Sequence, residues 1–356
     1  MVLKKLLQIL LLPFSLLYGV VIYLRNKCYD WGLFSSVEFK TTIISIGNLA
    51  IGGVGKTPHV AYLIELLQSN YKVATLSRGY KRLTSGFILS NENSTAEDIG
   101  DEPLLYKKRF NDIPVAVDEK RVNGVKQLTK TYPNLDVILL DDAYQHRAIK
   151  PHINILITEF ENLYTTDYLL PSGRLREGVC GSNRADIIIV SKCPTILSPI
   201  DKKRVIHELV PKKNQPIYFS YIKYKKLIPY NALAKELQPD FNSSILLLTG
   251  IANPIPLYYE LKNSYTFVKH ISFNDHHVFT DEDISKIKTV FNEIIGNNKL
   301  IITTEKDIMR LSLPKINNQI KEFPIYYIPI DIDFHGEDKQ EFDNKILNYV
   351  KENRRN

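Results

Sequence analysis

Cysteine is scarce in this 356-residue chain. Cys28, Cys180 and Cys193 stand far apart, are odd in number and form no CxxC pair. A disulfide framework and a zinc ribbon are therefore excluded, and a reducing compartment is the natural setting. Charge of one sign is also in short supply. Lys and Arg number 46 against 39 Asp and Glu, for a formal net charge of +7 and a pI near 9.0. That mild excess suggests an anionic partner without choosing among nucleic acid, phosphorylated substrate and anionic lipid. The chain shows no internal repeat. With 44% hydrophobic and 24% charged residues it has ordinary globular composition, which excludes disorder, collagen and coiled coil as whole-chain answers. A chain this long can bury about three quarters of its unfolded surface and divides most naturally into two domains.

One long apolar run is present. Residues 6–24 read LLQILLLPFSLLYGVVIYL, with Lys4 and Lys5 before them and Arg25 and Lys27 after. About 19 such residues just cross a hydrocarbon core of about 30 Å. A cleaved signal peptide needs a small-residue site, and none follows Leu24. A spanning helix with a cytoplasmic amino terminus carries the remainder outside, away from cytosolic ATP, which the phosphate-loop motif below calls for. Basic residues on both flanks give no orientation bias, and Pro13 and Gly19 interrupt a straight span. The expectation is a helix or broken helix lying in, or dipping into, the cytoplasmic face of a membrane. A buried helix of the main domain is the alternative.

The remainder alternates strand-like and helix-like stretches. Residues 41–46, 73–76, 114–117, 137–140, 153–157 and 187–190 are short β-rich or continuously apolar runs, the pattern of strands buried on both faces of a parallel sheet. The segments between them are long enough for crossover helices, so the fold class expected is α/β, a doubly wound parallel sheet. Residues 216–229 (PIYFSYIKYKKLIP) alternate Tyr with polar residues and read as an exposed hairpin or linker strand. Residues 245–248, 300–303 and 325–328 begin a second, smaller α/β series. The expected division is a membrane-associated helix over 1–30, a phosphate-loop domain over 31–215, a β linker over 216–240 and a second α/β domain over 241–356.

The strongest motif is Ala50-Ile51-Gly52-Gly53-Val54-Gly55-Lys56-Thr57, between an expected strand and an expected helix. Glycines let the backbone curl so that successive N–H groups point at anionic oxygens, and the helix N-terminus adds its positive end. Lys56 can reach the outer phosphates of ATP, and the Thr57 hydroxyl can bind Mg²⁺. Ala50 departs from the usual pattern, which begins with glycine. A second piece follows at the end of the run 137–140, where Asp141 precedes Asp142. A carboxylate at the carboxyl end of a buried strand beside a phosphate loop is placed to hold Mg²⁺, and Asp141 is the candidate; a polar turn is the alternative. Neither piece identifies what receives a phosphate.

Several polar clusters remain: Ser77-Arg78-Gly79-Tyr80, Gly100-Asp101-Glu102-Pro103, Asp142-Ala143-Tyr144-Gln145-His146, Leu175-Arg176-Glu177, Asn274-Asp275-His276-His277 and Thr304-Glu305-Lys306-Asp307. In order and spacing, with the phosphate loop and the apolar N-terminus, this set resembles the tetraacyldisaccharide 4′-kinase family of lipid A biosynthesis, from the N-terminus to about Arg310. The family's phosphate loop also lacks its first glycine. Two departures stand out: the family often reads DDGFQH where this chain has Ala143 and Tyr144, and often has proline where this chain has Gly178.

The resemblance implies ATP-dependent phosphorylation of the 4′-hydroxyl of an acylated glucosamine disaccharide 1-phosphate, at the cytoplasmic face of the inner membrane. Neither nucleic acid nor an obligate protein partner is expected. A sugar hydroxyl needs a carboxylate to accept or orient its proton, and Asp101 is the candidate; on sequence alone it reads equally as the cap of a following helix. The resemblance pairs Asp101 with His276 and makes Arg121 a charge stabiliser at the transferring phosphate; an ordinary surface role is the alternative for both. Asn48, Tyr80, Gln145, Arg176 and Glu177 are the residues expected to contact the sugar or its 1-phosphate. Two other classes compete. A partitioning-type ATPase carries a signature lysine where this chain has Ile51, and a nucleotide switch without turnover needs no acceptor base.

Overall fold

The computed structural model describes residues 2–296 and 298–353; the first residue of the expected N-terminal segment, and Asn297 and the last three residues of the expected C-terminal domain, lie outside them. In chain order the elements are α1 (Val2–Asp30), β1 (Thr42–Gly47), α2 (Lys56–Gln68), β2 (Val73–Ser77), β3 (Ile88–Leu89), α3 (Ala96–Ile99), α4 (Asp101–Arg109), β4 (Val115–Val117), α5 (Arg121–Thr131), β5 (Val137–Asp141), β6 (Ile153–Glu159), β7 (Ile187–Ser191), α6 (Pro199–Leu209) and β8 (Ile217–Tyr224). There follow β9 (Ile228–Pro229), α7 (Ala232–Glu236), β10 (Ser244–Thr249), α8 (Ile255–Ser264), β11 (Phe267–Ser272), α9 (Asp281–Glu293), β12 (Lys299–Thr304), α10 (Glu305–Leu311), α11 (Pro314–Ile320), β13 (Ile325–Ile328), β14 (Ile330–Phe334) and α12 (Asp338–Asn353).

The first sheet has nine strands in the order β14-β8-β7-β6-β1-β5-β2-β4-β3, parallel except at its two edges. Its central strands are mostly apolar and buried on both faces because helices cover them. Ile44 and Ile46 of β1 pack toward α2 and α12, while Ile43 packs toward Val125 and Leu128 of α5. The second sheet has the order β11-β10-β12-β13-β9 and is also flanked by helices. The architecture is thus doubly wound α/β with a smaller α/β unit, and every strand expected in 41–190 and 245–328 is present.

Residues 217–224 differ from the expected exposed linker. They form β8, parallel to β7 through Ile217, Tyr218 and Phe219 and antiparallel to β14 further along. Tyr218, Phe219 and Ser220 are buried, and only the later half of the strand carries the polar alternation that suggested a surface ribbon. The chain also crosses back: β14 and α12 complete the first unit, where Phe334, Phe342, Ile346 and Val350 join the core under α2. The second unit is therefore an insertion that starts after β8 and ends at β13.

α1 is one continuous helix despite Pro13 and Gly19. Its apolar stretch is only 6% buried, so it is not a core helix of the main domain. Leu10, Phe14, Leu16, Leu17, Val21 and Leu24 are all exposed. This helix is long and apolar enough to cross a membrane, which is consistent with membrane association. Its other side is docked. A Cβ at Gly19 would lie 2.7 Å from Leu169, so the absent side chain permits that approach. Ser15 donates to Ser172 (2.8 Å), Tyr18 to the Arg176 carbonyl (2.7 Å), Arg25 to the Gln145 carbonyl (3.1 Å) and Asn26 to Glu177 (3.0 Å).

Candidate active site

The two units and the docked side of α1 enclose a cavity of about 900 Å³. The phosphate loop forms one wall, at the carboxyl ends of the parallel strands, where open α/β sheets bind ligands. Gly52 and Gly55 hold positive φ (122° and 89°), which side chains resist, and Gly55 caps the amino end of α2. Ala50 needs no such freedom. It bridges antiparallel to Leu175, with Ile51 N–H donating to Arg174 (2.7 Å) and Arg176 N–H to Leu49 (2.7 Å). That explains why the first glycine of the usual pattern is dispensable. Gly53 lies against the second unit, since a Cβ there would sit 3.7 Å from Ala252.

Lys56 is held by neighbours of its own unit. Its ammonium donates to Asn48 Oδ1 (2.9 Å) and lies 3.4 Å from Asp142 Oδ1. Asn48 is buried and also bonds the Ala50 carbonyl, so it faces the lysine and the loop, not an open sugar site. Asp142 receives a second cation, with Arg176 donating to both its oxygens (2.9 and 3.2 Å). Burial would raise the Asp142 pKa, but Lys56 and Arg176 outweigh it and hold the carboxyl below its ordinary value.

Asp141 contrasts with its neighbour. Burial, reinforced by Asp142 and Glu102, pushes its carboxyl up to about 6. Tyr106 donates to Oδ2 (2.8 Å), while Oδ1 is buried with no partner. An orphaned buried carboxylate oxygen on a wall shared with the Thr57 hydroxyl fits a hard divalent cation. Among the described residues no three acidic, His or Cys side chains form a metal cage, so a cation here would need further ligands from outside the protein.

Next to the second wall lies Asp101, the first residue of α4. Gly100 is the cap and makes no side-chain cap bond, and the Asp101 carboxylate is spent elsewhere. His276 Nδ1 donates to its Oδ2 (2.9 Å), and Arg310 Nε lies 3.2 Å from the same oxygen. His276 and Glu102 line the cavity, with Asp101 directly behind them. Both partners of Asp101 come from the second unit. A further ion pair crosses beside them: Lys306 donates to Glu102 (2.7 Å). Burial would raise the Glu102 pKa; Lys306, aided by His276, brings it down to about 2.

The other expected residues divide. Arg121 lines the cavity, is 4% exposed and keeps its Nε unpartnered. Tyr80 is exposed and sets its ring edge-on to His276 at 5.4 Å. Gln145 donates to the Asn48 carbonyl (2.8 Å) and Glu177 (2.9 Å). Glu177 is itself buried and carries two hydrogen bonds from Arg184 (2.8 Å each). Both departures from the family pattern are structurally quiet. Ala143 and Tyr144 are core residues, with the Tyr144 hydroxyl on the Gly181 carbonyl (2.8 Å). Gly178 adopts φ −63°, the value a proline ring imposes. Sequence reasoning missed Arg310 and Tyr106 and singled out Lys306 in a polar cluster without giving it a role; all three reach the site through packing of α10 and α4.

Comparison with known proteins points to one family. Residues 7–351 match the model of the tetraacyldisaccharide-1-P 4′-kinase family. A relative named tetraacyldisaccharide 4′-kinase from Bacteroides thetaiotaomicron is 45% identical over 97% of this chain and 94% of its own. One of the same name from Flavobacterium johnsoniae is 44% identical over 98% and 99%. A crystal structure of LpxK from Aquifex aeolicus in complex with ATP superposes with a TM-score of 0.73 at 25% identity, covering 97% of this chain and 99% of that one.

Proposed function

This chain belongs to the tetraacyldisaccharide-1-P 4′-kinase family and is an ATP-dependent 4′-kinase of lipid A biosynthesis; from that premise we propose the roles of its residues. The curled loop from Ala50 to Thr57 grips the triphosphate, and Lys56 neutralises its outer oxygens. Thr57 and Asp141 would hold Mg²⁺, which would supply positive charge against the phosphates of ATP. Asp142 and Asn48 fix Lys56 and do not touch the acceptor. Asp101 accepts the proton of the sugar 4′-hydroxyl, or aligns it, as that oxygen attacks the terminal phosphorus. His276 and Arg310 fasten Oδ2 and so leave Oδ1 for the hydroxyl. Arg121 meets the charge that develops on the transferring group. Tyr80, Gln145, Arg176 and Glu177 shape the wall on which the disaccharide rests, Arg176 and Glu177 through their hold on Asp142 and α1.

The product is the bis-phosphorylated acylated disaccharide. The acceptor stays in the bilayer, so α1 lays its exposed apolar side into the cytoplasmic face of the inner membrane, and the basic chain adds electrostatic attraction. The observation that carries this reading is the Asp101–His276 contact of 2.9 Å beside a cavity walled by the phosphate loop. The test is transfer of a labelled γ-phosphate to the acylated disaccharide in detergent micelles. The wild-type chain should label the acceptor, and Asp101→Ala should bind ATP without labelling it. Full labelling by that variant removes Asp101 from the reaction.

A further inference from the structure

The backbone of the phosphate loop is held from behind by buried side chains. The Ser191 hydroxyl, at the end of β7, donates to the Val54 carbonyl (2.7 Å) and lies 3.1 Å from the Thr158 carbonyl. His59, in the first turns of α2, sets Nδ1 2.7 Å from the Gly55 carbonyl. A carbonyl only accepts, so Nδ1 carries the hydrogen of that contact. The helical bond to the same carbonyl, from the His59 N–H, is long at 3.4 Å, and the imidazole supplies the closer one. The other ring nitrogen, Nε2, rests 3.0 Å from the Ser220 hydroxyl on β8. Ser191, His59 and Ser220 are all buried, and they stand behind the loop and not on the cavity wall.

We propose that Ser191 and His59, the latter braced by Ser220, are positioning residues that aim N–H groups of the loop at the triphosphate. This rests on the reading of the loop as a phosphate cradle. A peptide unit is planar and trans, so its C=O and the N–H that follows point opposite ways. Pinning the Val54 carbonyl on Ser191, behind the loop, turns the Gly55 N–H forward. Pinning the Gly55 carbonyl on His59 does the same for the Lys56 N–H. Gly55 and Lys56 both line the cavity. Such pinning is needed because Gly52, Gly53 and Gly55 leave this stretch free to turn either way. The two buried donors remove that freedom before the nucleotide arrives, so less ordering is left to oppose binding. The loop glycines allow the curl, and side chains from β7 and α2 select it.

The test measures binding of two ligands by calorimetry on the full chain: ATP, and inorganic tripolyphosphate, which lacks the nucleoside. His59→Leu and Ser191→Ala should each weaken both ligands about fivefold or more and by the same factor, because the misaimed N–H groups serve phosphates alone. In the micelle transfer assay KM for the acylated disaccharide should stay within about twofold of wild type. Ser191→Thr keeps the hydroxyl and should recover most of the loss. His59→Asn places an amide nitrogen where Nδ1 stood and should recover part of it. Wild-type binding of both ligands by His59→Leu and Ser191→Ala overturns the proposal. So does a loss confined to ATP, which assigns the effect to the nucleoside, and so does an equal rise in KM for ATP and acceptor, which signals general loosening. Should His59→Leu fail to fold, Ser191→Ala, which deletes one atom, decides by the same criteria. A wild-type chain that binds neither ligand overturns the cradle reading and the clamp with it; one that binds both, with variants equal to it, overturns the clamp alone.

Discussion

The two walls of the cavity are built differently. The phosphate wall draws on residues of one unit: Asn48 and Asp142 hold Lys56, and Arg176 holds Asp142. The acceptor wall exists only where two units meet, since Asp101 and Glu102 lie in one while His276, Lys306 and Arg310 lie in the other. The first wall is preorganised whatever the second unit does. The second is made by docking. A kinase arranged in this way can hold ATP with the acceptor side open and align its acid only when the units close.

Four substitutions sharpen or break that contrast. Lys56→Met should reduce labelled phosphate transfer by about 10³-fold or more, because the cradle loses its charge on the outer phosphates. A variant keeping a tenth of the rate refutes the cradle. Asp101→Asn should lower kcat by about 10²–10³-fold while KM for ATP moves less than about threefold. A matching rise in KM for ATP would show that the walls are not separable. Asn48→Ala should act on the phosphate wall alone, raising KM for ATP about tenfold by freeing the Lys56 ammonium. An unchanged ATP affinity contradicts that role.

The smallest effect is on stability. Lys306→Met leaves Glu102 enclosed without its cation and should cost about 2 kcal/mol, read from the denaturant midpoint near neutral pH. The pH dependence follows from sign. Glu102 has its pKa depressed to about 2 when folded, against 4.5 otherwise. Its stabilisation is complete above about pH 4.5 and is lost as pH falls toward 2. In the variant, burial dominates and the folded pKa is raised, so the same group destabilises as pH climbs through 4.5. The gap between wild type and variant should therefore widen from pH 3 to pH 6. A gap constant across that range excludes Glu102 as the cause.

The same division governs what the sequence discloses. The phosphate wall is legible because its parts are local: glycines at fixed offsets, a lysine, and an acid at a strand end. Periodicity finds the buried strands for the same reason. Asp101 and His276 stand 175 positions apart, and only family resemblance brings them together before folding does. Arg310 gives no signal at all, because its role depends on α10 packing against α4. Arg176 misleads in the other direction, since an arginine in a polar cluster suggests a ligand but is already engaged by Asp142. β8 is misread because a strand near the edge of a sheet shows one dry half and one wet half. The return of β14 and α12 to the first sheet is invisible to any reading that assumes contiguous domains.

The docked side of α1 has a mechanical consequence. Tyr18 grips the backbone at Arg176, and Asn26 grips Glu177, so the exposed apolar helix is pinned to a rim of the cavity. Displacing α1 would therefore disturb the chamber wall at Arg176 and Glu177. Removing α1 would therefore do more than delete an apolar surface: it would also unfasten one side of the cavity, where Ser15, Tyr18, Arg25 and Asn26 are bonded.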